Sequence, residues 1–113
     1  MSNQFSPTDA YKLLGNERRL LTVKYLSLFD SRCTIDVRQI ARVIRSVETD
    51  TPPRAVPTSD YESAYNSLIQ QHLPKIDEAG LIEYNEDRKT VVRKKDLDNY
   101  LLLISIGEAT ICD

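Results

Sequence analysis

The chain has 113 residues, 41% apolar and 28% charged, with 15 basic against 17 acidic side chains and a formal net charge of −2. This length implies a single domain over residues 1–113, with a core that needs no covalent staple, and the near-even charge leaves only local charge distribution to argue for a nucleic-acid partner. Two distant cysteines, Cys33 and Cys112, one histidine and three glycines exclude a disulfide scaffold, a zinc knuckle and a glycine-rich phosphate loop.

Ser6 and Pro7 open the first helical segment, Thr8 to Leu14, as a cap and a first-position proline, and Gly15 stops it. Asn16 caps a longer helix, Glu17 to Phe29. Its apolar residues, Leu20 to Phe29, spread over most of the circumference and predict burial on more than one side. Cys33-Thr34-Ile35 reads as a minimal strand before a second cap, Asp36. The helix from Val37 to Glu48 carries Val37, Ile40, Ile44 and Val47 as its apolar stripe. Arg38, Arg42 and Arg45 form a second row about a third of a turn away. That row fits a solvated face, and it equally fits an edge that meets phosphates.

Residues 49–58 contain Pro52, Pro53 and Pro57 and read as a loop. Ser59 with Glu62 predicts a capping box at the start of a helix running to Ala79. Tyr61, Ala64, Tyr65, Leu68, Ile69, His72, Ile76 and Ala79 share one face, and Ser63, Asn66, Ser67 and Gln70 the opposite one. Pro74 removes the hydrogen bond to the residue 70 carbonyl and predicts a bend. Gly80 ends the helix. Leu81–Tyr84 and Thr90–Arg93 then read as a hairpin joined by the polar turn Asn85–Lys89. The last helix, Asp96 to about Ala109, points Leu97, Tyr100, Leu101 and Ile104 one way and Leu102, Leu103 and Ile106 the other. The second set predicts contact with another chain.

The order is helix, short strand, helix, loop, helix, hairpin, helix. It predicts a mainly α (α+β) winged helix-turn-helix core over residues 8–93, followed by a C-terminal dimerisation helix over 94–109. In such folds the third core helix enters the major groove and the hairpin, or wing, touches the backbone. Specific wording agrees with this order. Leu14-Gly15-Asn16-Glu17-Arg18-Arg19 resembles the L-x-N-E-R-R opening of a family of small winged-helix proteins from halophilic archaea, their viruses and their proviruses. His72-Leu73-Pro74-Lys75-Ile76 and Ala79-Gly80-Leu81-Ile82-Glu83-Tyr84 resemble its H-L-P-K-L and A-G-V-I-E-Y signatures, and Arg38-Gln39-Ile40-Ala41 its second-helix start. The resemblance covers about Thr8 to Leu103. It implies transcription regulation, although this chain is less acidic than is usual there and has Ile69-Gln70-Gln71 ahead of His72.

On these grounds the expected partner is double-stranded DNA, bound by a homodimeric regulator, a repressor, in the cytoplasm. Ser63, Asn66, Ser67 and Gln70 would meet bases. Arg38, Arg42, Arg45, Arg88 and Lys89 would hold phosphates, with Arg93, Lys94 and Lys95 close behind in a basic segment. Arg18 and Arg19 serve either as a further contact or as fold-stabilising groups. Leu102, Leu103 and Ile106 would form the dimer interface. The difficulty is charge, because Asp60, Glu62, Asp77 and Glu78 against Lys75 leave residues 59–79 at −3. A protein-binding winged helix, or a structural homodimer module, accounts for the same residues. His72 and two tyrosines of the same helix, Tyr61 and Tyr65, read as core residues, with a phosphate contact through the Tyr61 hydroxyl as the other option. Both cysteines read as inert. No G-x-S-x-G or H-E-x-x-H is present, so an enzyme, a metal, another cofactor and a small-molecule substrate are not expected. Residues 1–10 lack a leader pattern, and the Leu101–Ile106 stretch is too short for a bilayer.

Overall fold

The computed structural model describes residues 7–112, which form a mostly helical α+β structure with one three-stranded antiparallel sheet. The helix α1 (Pro7–Leu14) begins on the expected proline; Ser6, the expected cap, lies outside the described residues. Asn16 caps α2 (Glu17–Leu26), its Oδ1 accepting from the amides of Arg18 at 3.0 Å and Arg19 at 3.2 Å. α2 ends three residues before the expected Phe29. There the backbone tightens into bonds from Leu28 N to the Tyr25 carbonyl and from Phe29 N to the Leu26 carbonyl.

The strand β1 is Ile35–Asp36 rather than Cys33–Ile35, because Cys33 is held in a turn by a bond to the Asp30 carbonyl. Asp36 both ends β1 and caps α3 (Val37–Thr49), accepting from Arg38 N at 2.7 Å. Val37, Ile40 and Ile44 are buried as expected, but Val47 is 56% exposed. Val47 stands in the final turn, where the chain folds back through a bond from Thr51 N to the Ser46 carbonyl and covers Ser46 instead. The proline loop is not wholly irregular. Pro53–Ala55 makes one 3-10 turn, and Val56 is buried and pins the loop to the core. The next helix, α4 (Thr58–Ser67), starts one residue before Ser59. Pro57 occupies its cap position and no side chain caps it, so the expected box with Glu62 does not form.

Pro74 is accommodated without ending the helix. A π turn spans Leu68–His72 and closes with Leu73 N on the Leu68 carbonyl, and α5 (Leu73–Glu78) restarts with Pro74 in its first turn. The proline therefore has no intrahelical amide to lose there. α5 ends in a Schellman cap: Gly80 N bonds the Asp77 carbonyl, Leu81 N bonds the Ile76 carbonyl, and Gly80 has φ +83°. The strands β2 (Ile82–Asn85) and β3 (Thr90–Arg93) pair with Ile82 opposite Arg93 and Asn85 opposite Thr90. β1 adds to the far edge of β3, giving the order β1-β3-β2, with Ile35 opposite Val91.

One core joins these elements. Leu26, Ile40, Ile44, Leu68, Leu73, Ile76, Ile82 and Val91 are fully buried. α6 (Asp96–Cys112) seals it with Leu97, Tyr100 and Ile104, packing on α1 and α2. Leu102 and Ile106 are 58% and 54% exposed. Leu103 is half-buried against this chain's own core, so its expected outward position is corrected. Among the described residues no helix is long and apolar enough to cross a membrane.

A Cβ at Gly80 would meet nothing within 4 Å. Gly80→Ala therefore costs only the left-handed backbone penalty, about 1–2 kcal/mol. Urea unfolding should show that loss as a lower midpoint with an unchanged slope; an unaltered midpoint would contradict the cap geometry.

Candidate functional site

The outward face of α4 and its π turn presents Ser63, Asn66 and Gln70 to solvent. Ser67, expected beside them, is half-buried and engaged: its hydroxyl accepts from Arg18 Nη1 at 3.0 Å and donates to the Ala64 carbonyl at 3.1 Å. Arg18 in turn grips Glu48 through both carboxylate oxygens, Nε to Oε2 at 2.7 Å and Nη2 to Oε1 at 3.1 Å. Arg45 completes the cluster, with Nη1 on Glu48 Oε1 at 2.8 Å and Nε on the Asp60 carbonyl at 3.0 Å. Arg18 thus takes the fold-stabilising role of the two expected for it, and Arg45 stands inside the cluster rather than in the exposed row. The Arg18 guanidinium, aided by Arg45, holds the Glu48 carboxyl below its ordinary range against the opposing effect of burial. The Glu48 carboxylate raises the Arg18 pKa.

On the other flank of α4 stand the remaining two members of the arginine row. Arg38 lies over the Tyr65 ring, 5.6 Å from its centroid, and Arg42 over Tyr61 at 5.2 Å. Both arginines are exposed, and among the described residues neither joins an ion pair. The ring beneath each guanidinium attracts its charge and leaves its N–H groups available. Tyr61 is buried beneath Arg42, in the core role expected for it, and borders the groove on this flank. A groove of about 600 Å³ runs along this flank, lined by Tyr25, Arg38, Gln39, Arg42, Arg54 and Tyr61. Arg54, exposed on the proline loop, was not singled out from sequence; the 3-10 turn that carries it was the missing signal.

The hairpin turn is tied to the same flank, since the Lys89 carbonyl accepts from Val37 N at 3.0 Å, one residue before Arg38. Tyr84 of β2 lies close enough to Tyr65 to feel it: burial first, then Glu86 and Tyr65, push the Tyr84 phenol up. Arg88 is exposed, its backbone amide bound to Asn85 Oδ1 at 3.0 Å. Lys89 has φ +55°, and its ammonium donates to the Glu86 carbonyl at 2.6 Å, so its charge is partly used within the turn. Arg93 is structural: Nη1 donates to the carbonyls of Ser27 and Phe29, and Nη2 to Asp98 at 2.8 Å. Lys94 and Lys95 are exposed at the end of β3 away from the turn. Asp77, one of the acids counted against α4 and α5, is spent on the Tyr84 amide at 2.8 Å.

His72 is buried, as expected. Burial, then Arg19, Arg18 and Lys75, lower its pKa to about 4, so it is neutral at pH 7. Cys33 is free and exposed, and the Cys112 side chain lies outside the described residues. No group of His, Cys, Asp and Glu that could hold a metal occurs among the described residues. Residues 11–92 match a family described as a domain of unknown function, DUF7344. No curated protein and no solved structure matches the chain.

Glu48→Ala leaves Arg18 and Arg45 without their shared anion and should destabilise the fold by about 2 kcal/mol, less than a fully buried pair would lose. A carboxyl whose folded pKa is lowered contributes above its unfolded pKa and loses that contribution as pH falls through the folded value. The gap between wild type and variant in chemical unfolding should therefore be full at pH 7 and shrink below about pH 4. A gap independent of pH would contradict the cluster.

Proposed function

The chain belongs to the DUF7344 family, a premise that assigns no activity, and we propose that it is a sequence-specific, dimeric DNA-binding regulator of winged helix-turn-helix type. α3 and α4 would form the helix-turn-helix pair, with α4 in the major groove and the β2–β3 hairpin as the wing. The observation that carries this reading is the exposed Ser63-Asn66-Gln70 face with two ring-supported guanidiniums on its flank. Asparagine and glutamine pair bidentately with adenine in the major groove. Arg38, Arg42, Arg54 and Arg88 would take phosphates, which sets register without reading sequence. Ser67 and Arg45 would instead position α4 through Arg18 and Glu48.

The charge objection weakens on this geometry. Asp77 is engaged by a backbone amide, and the cations of α3 and the proline loop stand beside the N-terminal half of α4. The likeness to haloarchaeal winged-helix proteins fits a cytoplasmic repressor. The exposed Leu102 and Ile106 of α6 are the proposed dimer contact. The second reading, a winged helix that binds protein rather than DNA, is favoured by Asp60 and Glu62, both exposed at the start of α4.

Selection from a random duplex pool, followed by mobility-shift titration at several salt concentrations, tests the proposal. Gln70→Ala should reduce discrimination between selected and scrambled duplex roughly ten-fold. Joint Arg38→Ala and Arg42→Ala should weaken binding to all sequences alike and lower the salt slope by about 2. Wild-type binding by both variants would overturn the docking, and no retention of any duplex would favour the protein-binding reading. In sedimentation, Leu102→Lys should convert the dimer to monomer; an unchanged dimer would move the interface elsewhere.

A further inference from the structure

The signature residues Arg19, His72 and Lys75 have no part in the DNA-reading face, yet the fold gathers them at another place. A cavity of about 390 Å³ opens there, lined by Lys12 and Leu13 of α1, Arg19 of α2, Lys75 and Glu78 of α5, and Tyr100 of α6. Arg19 forms its buried wall and is 9% exposed. Its Nε donates to the Leu13 carbonyl at 2.6 Å, and its Nη1 meets His72 Nδ1 at 3.4 Å. With His72 neutral, Nδ1 accepts that proton, so both contacts fix the guanidinium plane and neither neutralises its charge.

Among the described residues Arg19 has no carboxylate partner, and Glu78 lines the cavity without closing an ion pair. A guanidinium withdrawn from water is expensive to keep unless an anion stands beside it. Besides Arg19, the charged lining is two lysines against one carboxylate, with Lys12 and Lys75 both exposed at the rim. A planar guanidinium held by its Nε and one Nη, with lysines around the opening, suits two-point recognition of an oxyanion.

We propose that this cavity binds a small ligand through a phosphate or carboxylate group, with Arg19 as the fixed fork and Lys12 and Lys75 as flanking charges. The site is independent of the DNA-reading face and stands whether or not that face binds DNA. Its occupant would neutralise the buried charge and bridge α1, α2 and α5. It would therefore bind the folded chain alone and stabilise it.

The test is thermal unfolding of the full chain at pH 7.5 and constant ionic strength, with chloride replaced stepwise by inorganic phosphate in one arm and by succinate in the other. At ten times the apparent Kd the midpoint should rise by about 5 °C or more. A saturable rise with phosphate alone assigns a phosphate group, with succinate alone a carboxylate, and with both a general oxyanion site. Lys75→Glu and Lys12→Glu alter exposed side chains and leave the fold intact; each should weaken the apparent affinity roughly ten-fold or more. No saturable rise in either arm would overturn the proposal, as would a rise that both charge reversals leave unchanged.

Discussion

Glu48 ties together the three helices that carry the candidate surface. Its carboxylate receives Arg18 from α2 and Arg45 from its own helix. Those two arginines then reach α4 at the Ser67 hydroxyl and the Asp60 carbonyl. Three helices are thereby locked by one anion that is mostly, though not fully, withdrawn from water. Charge-assisted and bidentate bonds of this kind fix orientation more sharply than apolar packing does. Packing alone would tolerate a small rotation of α4. The two-sided attachment does not, because one arginine holds its first turn and the other its last. The direction in which Ser63, Asn66 and Gln70 point follows from that constraint.

Charge is distributed by the same economy. Acidic residues of α4 and α5 leave that segment negative, yet Asp77 is consumed by the Tyr84 amide. Arg38 and Arg42 lie on tyrosine faces rather than in carboxylate pairs. A cation on a ring keeps its full charge for an outside partner, whereas one in a salt bridge gives much of it up. Two kinds of arginine therefore coexist within about two turns of α3: Arg45 is committed inward, and Arg38 and Arg42 stay exposed at the surface. The hairpin joins the same flank through the Lys89 carbonyl at the head of α3.

Features governed by neighbours in sequence are legible in the chain itself. Asn16, Asp36 and Gly80 act locally, and each stands where its side chain or its lack of one predicts. The polar and apolar faces of the helix around Tyr61 to Gln70 likewise follow from a 3.6-residue period. What escaped were the long-range pairings. Helical periodicity says which way Ser67 and Arg45 face but not that Arg18, 49 residues from Ser67 and 30 from Glu48, stands there to meet them. Arg93 looked like part of a basic run, yet three carbonyls and Asp98 surround it. Pro74 announces a disturbance, but the π turn over Leu68–His72 that precedes it, with Leu68, Leu73 and Ile76 all buried, has no local sequence signal. Arg54 was hidden in a loop whose short 3-10 turn local rules did not resolve.

The claim that α4 turns an amide-bearing face toward duplex DNA is tested most directly by NMR. Side-chain NH₂ resonances of Asn66 and Gln70, and Nε–H resonances of Arg38 and Arg42, would be followed while a selected duplex is titrated in. The account predicts that these four side chains shift together and saturate at one half-site per chain, while Arg18 and Arg45, bound to Glu48, keep their positions. Saturable binding that leaves Asn66 and Gln70 unmoved, with shifts gathered on α6 or at Lys94 and Lys95, would contradict it.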